Sequence, residues 1–156
     1  MAQILKPPTP LPAAFAAPTL FLAGSIAMGQ ASAWQREVER SFAQSAITIL
    51  NPRRDDWDAT WIQELANPQF RAQVEWELEA QERADLIIMY FAPETQAPIT
   101  LLELGLFARS GKLAVCCPAG YWRQGNVDVV CARYGIPQVA TLADLCAYAA
   151  RRLPGR

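Results

Sequence analysis

The chain has 156 residues, 52% of them hydrophobic, which suits one domain with one buried core. Charged residues make up 19% and the formal net charge is -1, so no basic field stands ready for a nucleic-acid polymer or an anionic membrane. Histidine is absent, which excludes imidazole bases, imidazole metal ligands and the Ser–His and Cys–His nucleophile pairs, and leaves any chemistry near neutral pH to carboxylates, tyrosines, thiols, Lys6 or Lys112.

In chain order, Pro7, Pro8, Pro10, Pro12 and Pro18 mark residues 1–18 as an extended proline-rich arm, with a single domain expected over 19–156. The arm lacks a basic region followed by an apolar core, so it is a poor signal peptide, and no apolar run reaches membrane-spanning length. Thr19 to Ala23 reads as a short buried strand closed by Gly24-Ser25. Glycine there either makes a tight turn or lets a ligand approach the backbone. Ser32-Ala33-Trp34-Gln35 has the form of a capping box, opening a helix to about Gln44. Ala46 to Leu50 is a second β-rich run.

The polar segment Asn51 to Asp58 holds two arginines, three aspartates and Trp57. Its charges either pair to shape the loop or, with the indole, bind a planar heterocycle. Asn67-Pro68 caps a helix to about Arg83, with Phe70, Val74, Leu78 and Gln81 expected on one face. Glu75, Glu77 and Glu79 alternate along it, so at most one points at any one pocket. Asp85 to Phe91 is apolar on both faces, as a central parallel strand should be.

Thr100 to Arg109 is helical and Gly111 stops it. Leu113 to Cys117 is a fourth strand, Pro118 to Asn126 a loop, and a short helix runs on to Arg133. Gln138-Val139 is a weak fifth strand, and Thr141 caps a last helix. Cys116, Cys117, Cys131 and Cys146 form no C-x-x-C pair. They read as buried reduced thiols, which fits a reducing cytoplasm, and not as a metal site.

This alternation predicts an α/β fold: a doubly wound parallel sheet of about five strands with helices on both faces. Ligands in such sheets sit beyond the carboxyl ends of the strands. The loops there begin at Gly24, Asn51, Ala92 and Pro118. Glu103 follows the central strand, in what reads as the first turn of the next helix. Thr100-x-x-Glu103 is itself a capping-box pattern, so Glu103 is either a helix cap or a carboxylate that the helix amino end keeps ionised. An ionised, desolvated carboxylate at that edge is a good nucleophile for a sugar's anomeric carbon. The Gly120 to Asn126 segment, with Tyr121 and Trp122, is either a plain exposed loop or a contact for a ligand or another subunit.

Leu22-Ala23-Gly24-Ser25-Ile26, Asn51-Pro52-Arg53-Arg54-x-x-Trp57-Asp58, Gln73-Val74-x-Trp76-Glu77, Ile99-Thr100-Leu101-Leu102-Glu103-Leu104-Gly105 and Gly125-Asn126-Val127 occur in that order. Together they resemble the nucleoside 2-deoxyribosyltransferases, in particular the bacterial branch with the N-P-R-R loop. The resemblance covers about Thr19 to Tyr134. It implies a flavodoxin-like fold, a cytoplasmic enzyme of nucleotide salvage and a double displacement with no metal or organic cofactor. Glu103 would be the nucleophile and Glu77 the group that protonates the leaving base.

Phe21, Gly24, Ser25, Arg53, Asp56, Trp57 and Asn126 are the implied substrate contacts, Asn126 reaching a neighbouring subunit's sugar. Deoxynucleosides and free nucleobases are the implied partners, together with further copies of the chain in a homo-oligomer with shared sites, dimer-based or hexameric. Two positions depart from the pattern. The tyrosine that family members carry on the first strand is replaced here, in the Leu20-Phe21 region, by residues without a hydroxyl, and Ala97 stands where an aspartate would hold sugar hydroxyls. Water in place of the second base would give a deoxynucleoside or deoxynucleotide N-glycosidase. A non-catalytic nucleoside-binding protein is the reading from another class.

Overall fold

Parallel strands need a covered connection between them, and each strand–helix step of this chain supplies one. The computed structural model describes residues 1–26, 33–54, 56 and 58–153. Its strands are β1 (Gln3–Leu5), β2 (Thr19–Gly24), β3 (Thr48–Leu50), β4 (Leu86–Tyr90), β5 (Leu113–Cys116) and β6 (Gln138–Val139). Its helices, among the described residues, are α1 (Trp34–Ser41), α2 (Pro68–Arg83), α3 (Pro98–Phe107), α4 (Gln124–Tyr134) and α5 (Leu142–Arg152). None is long and apolar enough to cross a membrane.

All six strands are parallel, in the order β1-β3-β2-β4-β5-β6. Without β1 this is the 2-1-3-4-5 order of the flavodoxin-like fold, and the order reverses between β2 and β4. Ala23 pairs with Met89 and Gly24 with Tyr90, so the crevice expected at a switch point opens beside these residues. The opposite end of the same strand pair is locked by Asp85, whose Oδ2 accepts from the Thr19 amide and hydroxyl, both at 2.8 Å.

Alternation along β2 divides the core. Phe21 and Ala23 lie with Trp76, Ala80, Leu104 and Val127 on the face covered by α2, α3 and α4. Leu20 and Leu22 lie with Trp34, Val38, Leu145 and Ala149 on the face covered by α1 and α5.

The structure corrects several expectations. The amino-terminal segment is not only an extended arm: β1 pairs with β3 and makes the sheet six-stranded. Beyond β1, the segment lies along α2, where the Trp76 indole donates to the Thr9 carbonyl at 2.9 Å. The Ser32 cap lies outside the described residues, and α1 ends at Ser41, short of Gln44.

On α2 the buried side chains are Gln73, Trp76, Ala80 and Gln81, whereas Phe70, Val74 and Leu78 are only half-buried. The polar stripe Gln73–Glu77–Gln81 therefore turns inward, because polar groups that face a site do not obey the amphipathic rule of an ordinary surface helix. Helix α3 begins at Pro98, two residues before the expected start. Asn126 lies in the first turn of α4, not in the preceding loop.

Candidate functional site

Glu103 is not a helix cap. It is the sixth residue of α3, whose N-cap, Ala97, has φ 45 and makes no side-chain cap hydrogen bond. Thr100 is buried within the first turn, so the capping-box reading fails, and Glu103 sits beyond the turn where the helix dipole acts strongly. The carboxyl is instead buried, with 7% of the residue exposed. That burial, reinforced by the charge of Glu77, raises it from the ordinary 4.5 to about 8, against a partial offset from a Gln81 side-chain hydrogen bond. Burial thus opposes the ionised form that the helix amino end was expected to favour.

The α2 carboxylates separate as helix geometry requires. Glu75 and Glu79 are exposed and pair with Arg71 and Arg83 at 2.8 and 2.9 Å. Glu77 points inward and accepts from Gln73 Nε2 at 2.8 Å. Burial raises it from 4.5 to about 7, and the Gln73 bond offsets part of this. Helices α2 and α3 both pack on β2, which brings Glu77 and Glu103 to the same face beside the switch point.

Sequence reading missed the two glutamines that flank this pair, although their i, i+4, i+8 spacing with Glu77 was a visible signal. Gln73 Nε2 also donates to the Pro52 carbonyl at 3.1 Å, joining Glu77 to the loop after β3. Gln81 Nε2 donates to the Glu77 carbonyl at 3.1 Å. The amide oxygens of both glutamines are buried without a partner.

The residues after β2 are held by packing. A Cβ at Gly24 would stand 2.5 Å from the Tyr90 carbonyl oxygen and 2.6 Å from Trp34 Cζ2, so close approach of the protein's own backbone and indole requires the glycine. Trp34 Nε1 donates to the Ser25 carbonyl at 3.0 Å. Ser25 is buried, and its hydroxyl oxygen accepts from the Ala92 amide at 3.0 Å and the Thr95 hydroxyl at 2.6 Å, tying β2 to the loop before α3. Phe21 is fully buried on the same face as Trp76 and Leu104.

The loop after β3 is anchored to α1. Arg53 Nη1 donates to Gln35 at 3.0 Å, and Asn51 Nδ2 to Glu39 at 2.7 Å. Arg54 and the exposed Asp56 form a two-pronged pair at 3.0 Å, so one of the charge pairings that would shape the loop is present. Trp57 lies outside the described residues. Past β5, Tyr121 and Trp122 part company. Tyr121 is buried and Trp122 half exposed, and both donate to the Gln96 carbonyl, at 2.6 and 2.9 Å. Asn126 is exposed.

Two neighbouring carboxyls, Glu103 buried and Glu77 half-buried, cannot both ionise cheaply, so together they favour keeping one proton around neutral pH. Such a pair can supply one nucleophilic carboxylate and one carboxylic acid to a single bound molecule. It lies on the face of the sheet covered by α2 and α3, and Gln73 ties Glu77 to the loop after β3.

A family model described as nucleoside 2-deoxyribosyltransferase like matches residues 17–121, which span the Gly24, Arg53, Glu77 and Glu103 segments. No curated protein matches the chain. Among solved structures, a conserved protein from Enterococcus faecalis V583 superposes with a TM-score of 0.58 at 14% identity, covering 88% of this chain and 100% of the other. That likeness concerns the fold alone. The matched region exceeds half of the chain and contains both carboxyls, and the chain therefore belongs to the nucleoside 2-deoxyribosyltransferase-like family.

Proposed function

We propose that this protein transfers 2-deoxyribose between nucleobases by double displacement. The observation that carries the reading is the carboxyl pair on one face of the sheet, Glu103 buried and Glu77 half-buried and bonded to Gln73, both raised by desolvation. A departing purine or pyrimidine is a poor leaving group unless protonated, and with no histidine in the chain a carboxylic acid is the available donor. The reactive form has Glu103 ionised and Glu77 protonated.

Glu103 then attacks C1′ as the bond from C1′ to the base nitrogen breaks, and Glu77 gives its proton to that base. The product is a deoxyribosyl ester on Glu103. A second base attacks C1′, its proton passes to Glu77, and the Glu103 carboxylate is released. Phe21, Gly24, Ser25, Arg53 and Asp56 are proposed for the substrate side of this site, as is Trp57, which lies outside the described residues. The first two shape it, and Ser25 and Arg53 hold its loops.

Asn126, exposed near the start of α4, contacts the sugar in a neighbouring copy. The exposed Ile99, Leu102 and Leu106 recur along one side of α3, and a groove of about 320 Å³ lies between α3 and α4. This apolar stripe is the surface for that copy.

Incubation with a deoxynucleoside and a second free base tests the reading. Exchange of the base, together with its loss by several orders of magnitude in Glu103→Gln, is the expected outcome. Release of free deoxyribose without exchange would make the protein a glycosidase. Turnover that survives Glu103→Gln would remove Glu103 from the chemistry.

A further inference from the structure

Gln73 is buried in α2, with 5% of the residue exposed, and its side-chain hydrogen bonds all leave from one atom. Nε2 donates to Glu77 Oε1 at 2.8 Å, one turn further along the helix, and to the Pro52 carbonyl at 3.1 Å, in the loop after β3. Both partners are acceptors, so the amide has one orientation: turned over, it would set its oxygen against two other oxygens. In the orientation it holds, Gln73 Oε1 is buried without a partner. A buried acceptor left unpaired is destabilising. What stands against it are two bonds, one to a carboxyl and one to a loop of the proposed site.

We infer that Gln73 is a positioning residue for Glu77, and that it selects Glu77 Oε2 as the oxygen that exchanges a proton with the base. An N–H aimed at Oε1 occupies that oxygen as an acceptor and opposes a proton on it. In the carboxylic acid the O–H therefore lies on Oε2, which no hydrogen bond among the described residues engages. Glu77 is half-buried, so Oε2 can meet a bound molecule while Oε1 stays on Gln73. Through Pro52 the same amide fixes Glu77 relative to the loop that carries Arg53. This deepens the proposed reaction and rests on it for its purpose: proton delivery needs one direction, and a carboxyl free to turn would present either oxygen.

The elements around Glu77 bring few other charges to it. On α3 there is Glu103, whose ionisation Glu77 opposes. On the loop after β3, Arg53 donates to Gln35 and Arg54 is paired with Asp56. In the amino-terminal segment Lys6 is paired with Glu39. Along α2 itself, Glu75 and Glu79 are paired with Arg71 and Arg83. Strand β2 brings Phe21 and Ala23 to this face, neither titratable.

The test begins with NMR, in protein labelled with 15N at the glutamine side-chain amides and 13C at the glutamate carboxyls. In the wild type the Gln73 amide protons should move with pH at the midpoint of the Glu77 carboxyl, and Glu77→Gln should abolish that movement. Gln73→Met should raise the Glu77 midpoint by about one pH unit, since the lost bond favours the ionised form. In transfer assays Gln73→Met should lower kcat by about ten- to a hundredfold for natural bases, a part of the general-acid contribution, with KM held and much less loss for an activated leaving group. Placed on Glu77→Gln, the same substitution should add no further loss, because the group it positions is already gone. Gln73→Leu should repeat these results. Amide protons that ignore the Glu77 titration, equal losses on both substrates, or losses that multiply in the double variant would each overturn the inference. So would failure of both variants to fold, which would make Gln73 a structural residue. The NMR readout does not depend on turnover, so absence of base exchange in the wild type would refute the proposed reaction and leave the Gln73 result to be judged by itself.

Discussion

At the scale of single residues, the proton on Glu103 links the site to stability. The folded-state value is about 8 and the ordinary one 4.5, so between these the unfolded chain has lost a proton that the folded chain retains. Below that window both states are protonated and burial of the neutral acid carries no ionisation penalty; through it stability falls, and above it the penalty is complete. Glu103→Gln removes the ionisable group, so its melting temperature should match the wild type near pH 4 and exceed it by several degrees near pH 8.5, by calorimetry at both. A variant no more stabilised in alkali than in acid would mean that Glu103 is ionised in the fold. The same pair predicts a narrow bell in the pH dependence of kcat/KM, with limbs between about 7 and about 8 that belong to the pair jointly. Glu77→Gln should abolish one limb and slow natural bases by about a hundred- to ten-thousand-fold, with much less loss for an activated leaving group. Equal losses on both substrates would take Glu77 out of proton transfer.

Among the elements, α2 decides the geometry of the carboxyl pair, and its two ends are held by unlike devices. Asn67 Oδ1 accepts from the Phe70 amide at 3.0 Å, with Pro68 at the first helical position, as the Asn-Pro pattern implies. At the carboxyl end, Lys112 reaches across from the start of β5 and Nζ donates to the carbonyls of Gln81, Glu82 and Ala84 at 2.6, 2.8 and 3.2 Å. Nothing local in the sequence signals this, because the lysine is 31 positions from Gln81. Lys112→Met keeps the aliphatic stem and loses these three bonds. It should cost about 1–3 kcal/mol in urea unfolding, and amides of the last α2 turn should exchange faster. Full stability in Lys112→Met would show that water serves those carbonyls equally well.

For the whole molecule, assembly is the question the α3 surface raises. Ile99, Leu102 and Leu106 are each more than half exposed, which is a large apolar cost for one helix in water. In the proposed oligomer, Leu102→Glu with Leu106→Glu should give a monomer by light scattering and lose transfer activity while the carboxyl titrations persist. Mixing Glu103→Ala chains with Asn126→Ala chains should restore activity, since some mixed sites then hold both residues. A wild type that is monomeric at assay concentrations and fully active would discard the shared site.

The sequence by itself determined the architecture, because its signals are local. Runs of apolar residues on both faces, Asn67-Pro68 and Thr141 each set an element or its end through the chain's own backbone chemistry, whereas α3 ends at Phe107, before the expected stop at Gly111. It also marked Glu103 and Glu77, by position after the central strand and by family-like spacing. It could not choose between a helix cap and a functional carboxylate at Glu103, since Thr100-x-x-Glu103 fits both patterns. The tertiary structure removed the cap reading, by beginning α3 at Pro98 and burying the carboxyl. The inward polar stripe, the Gly24–Trp34 contact, the Lys112 clamp and the sixth strand are likewise long-range, and only close packing of distant segments creates them. Desolvation follows the same logic: whether a carboxyl ends near 4.5 or near 8 depends on what the fold stacks over it.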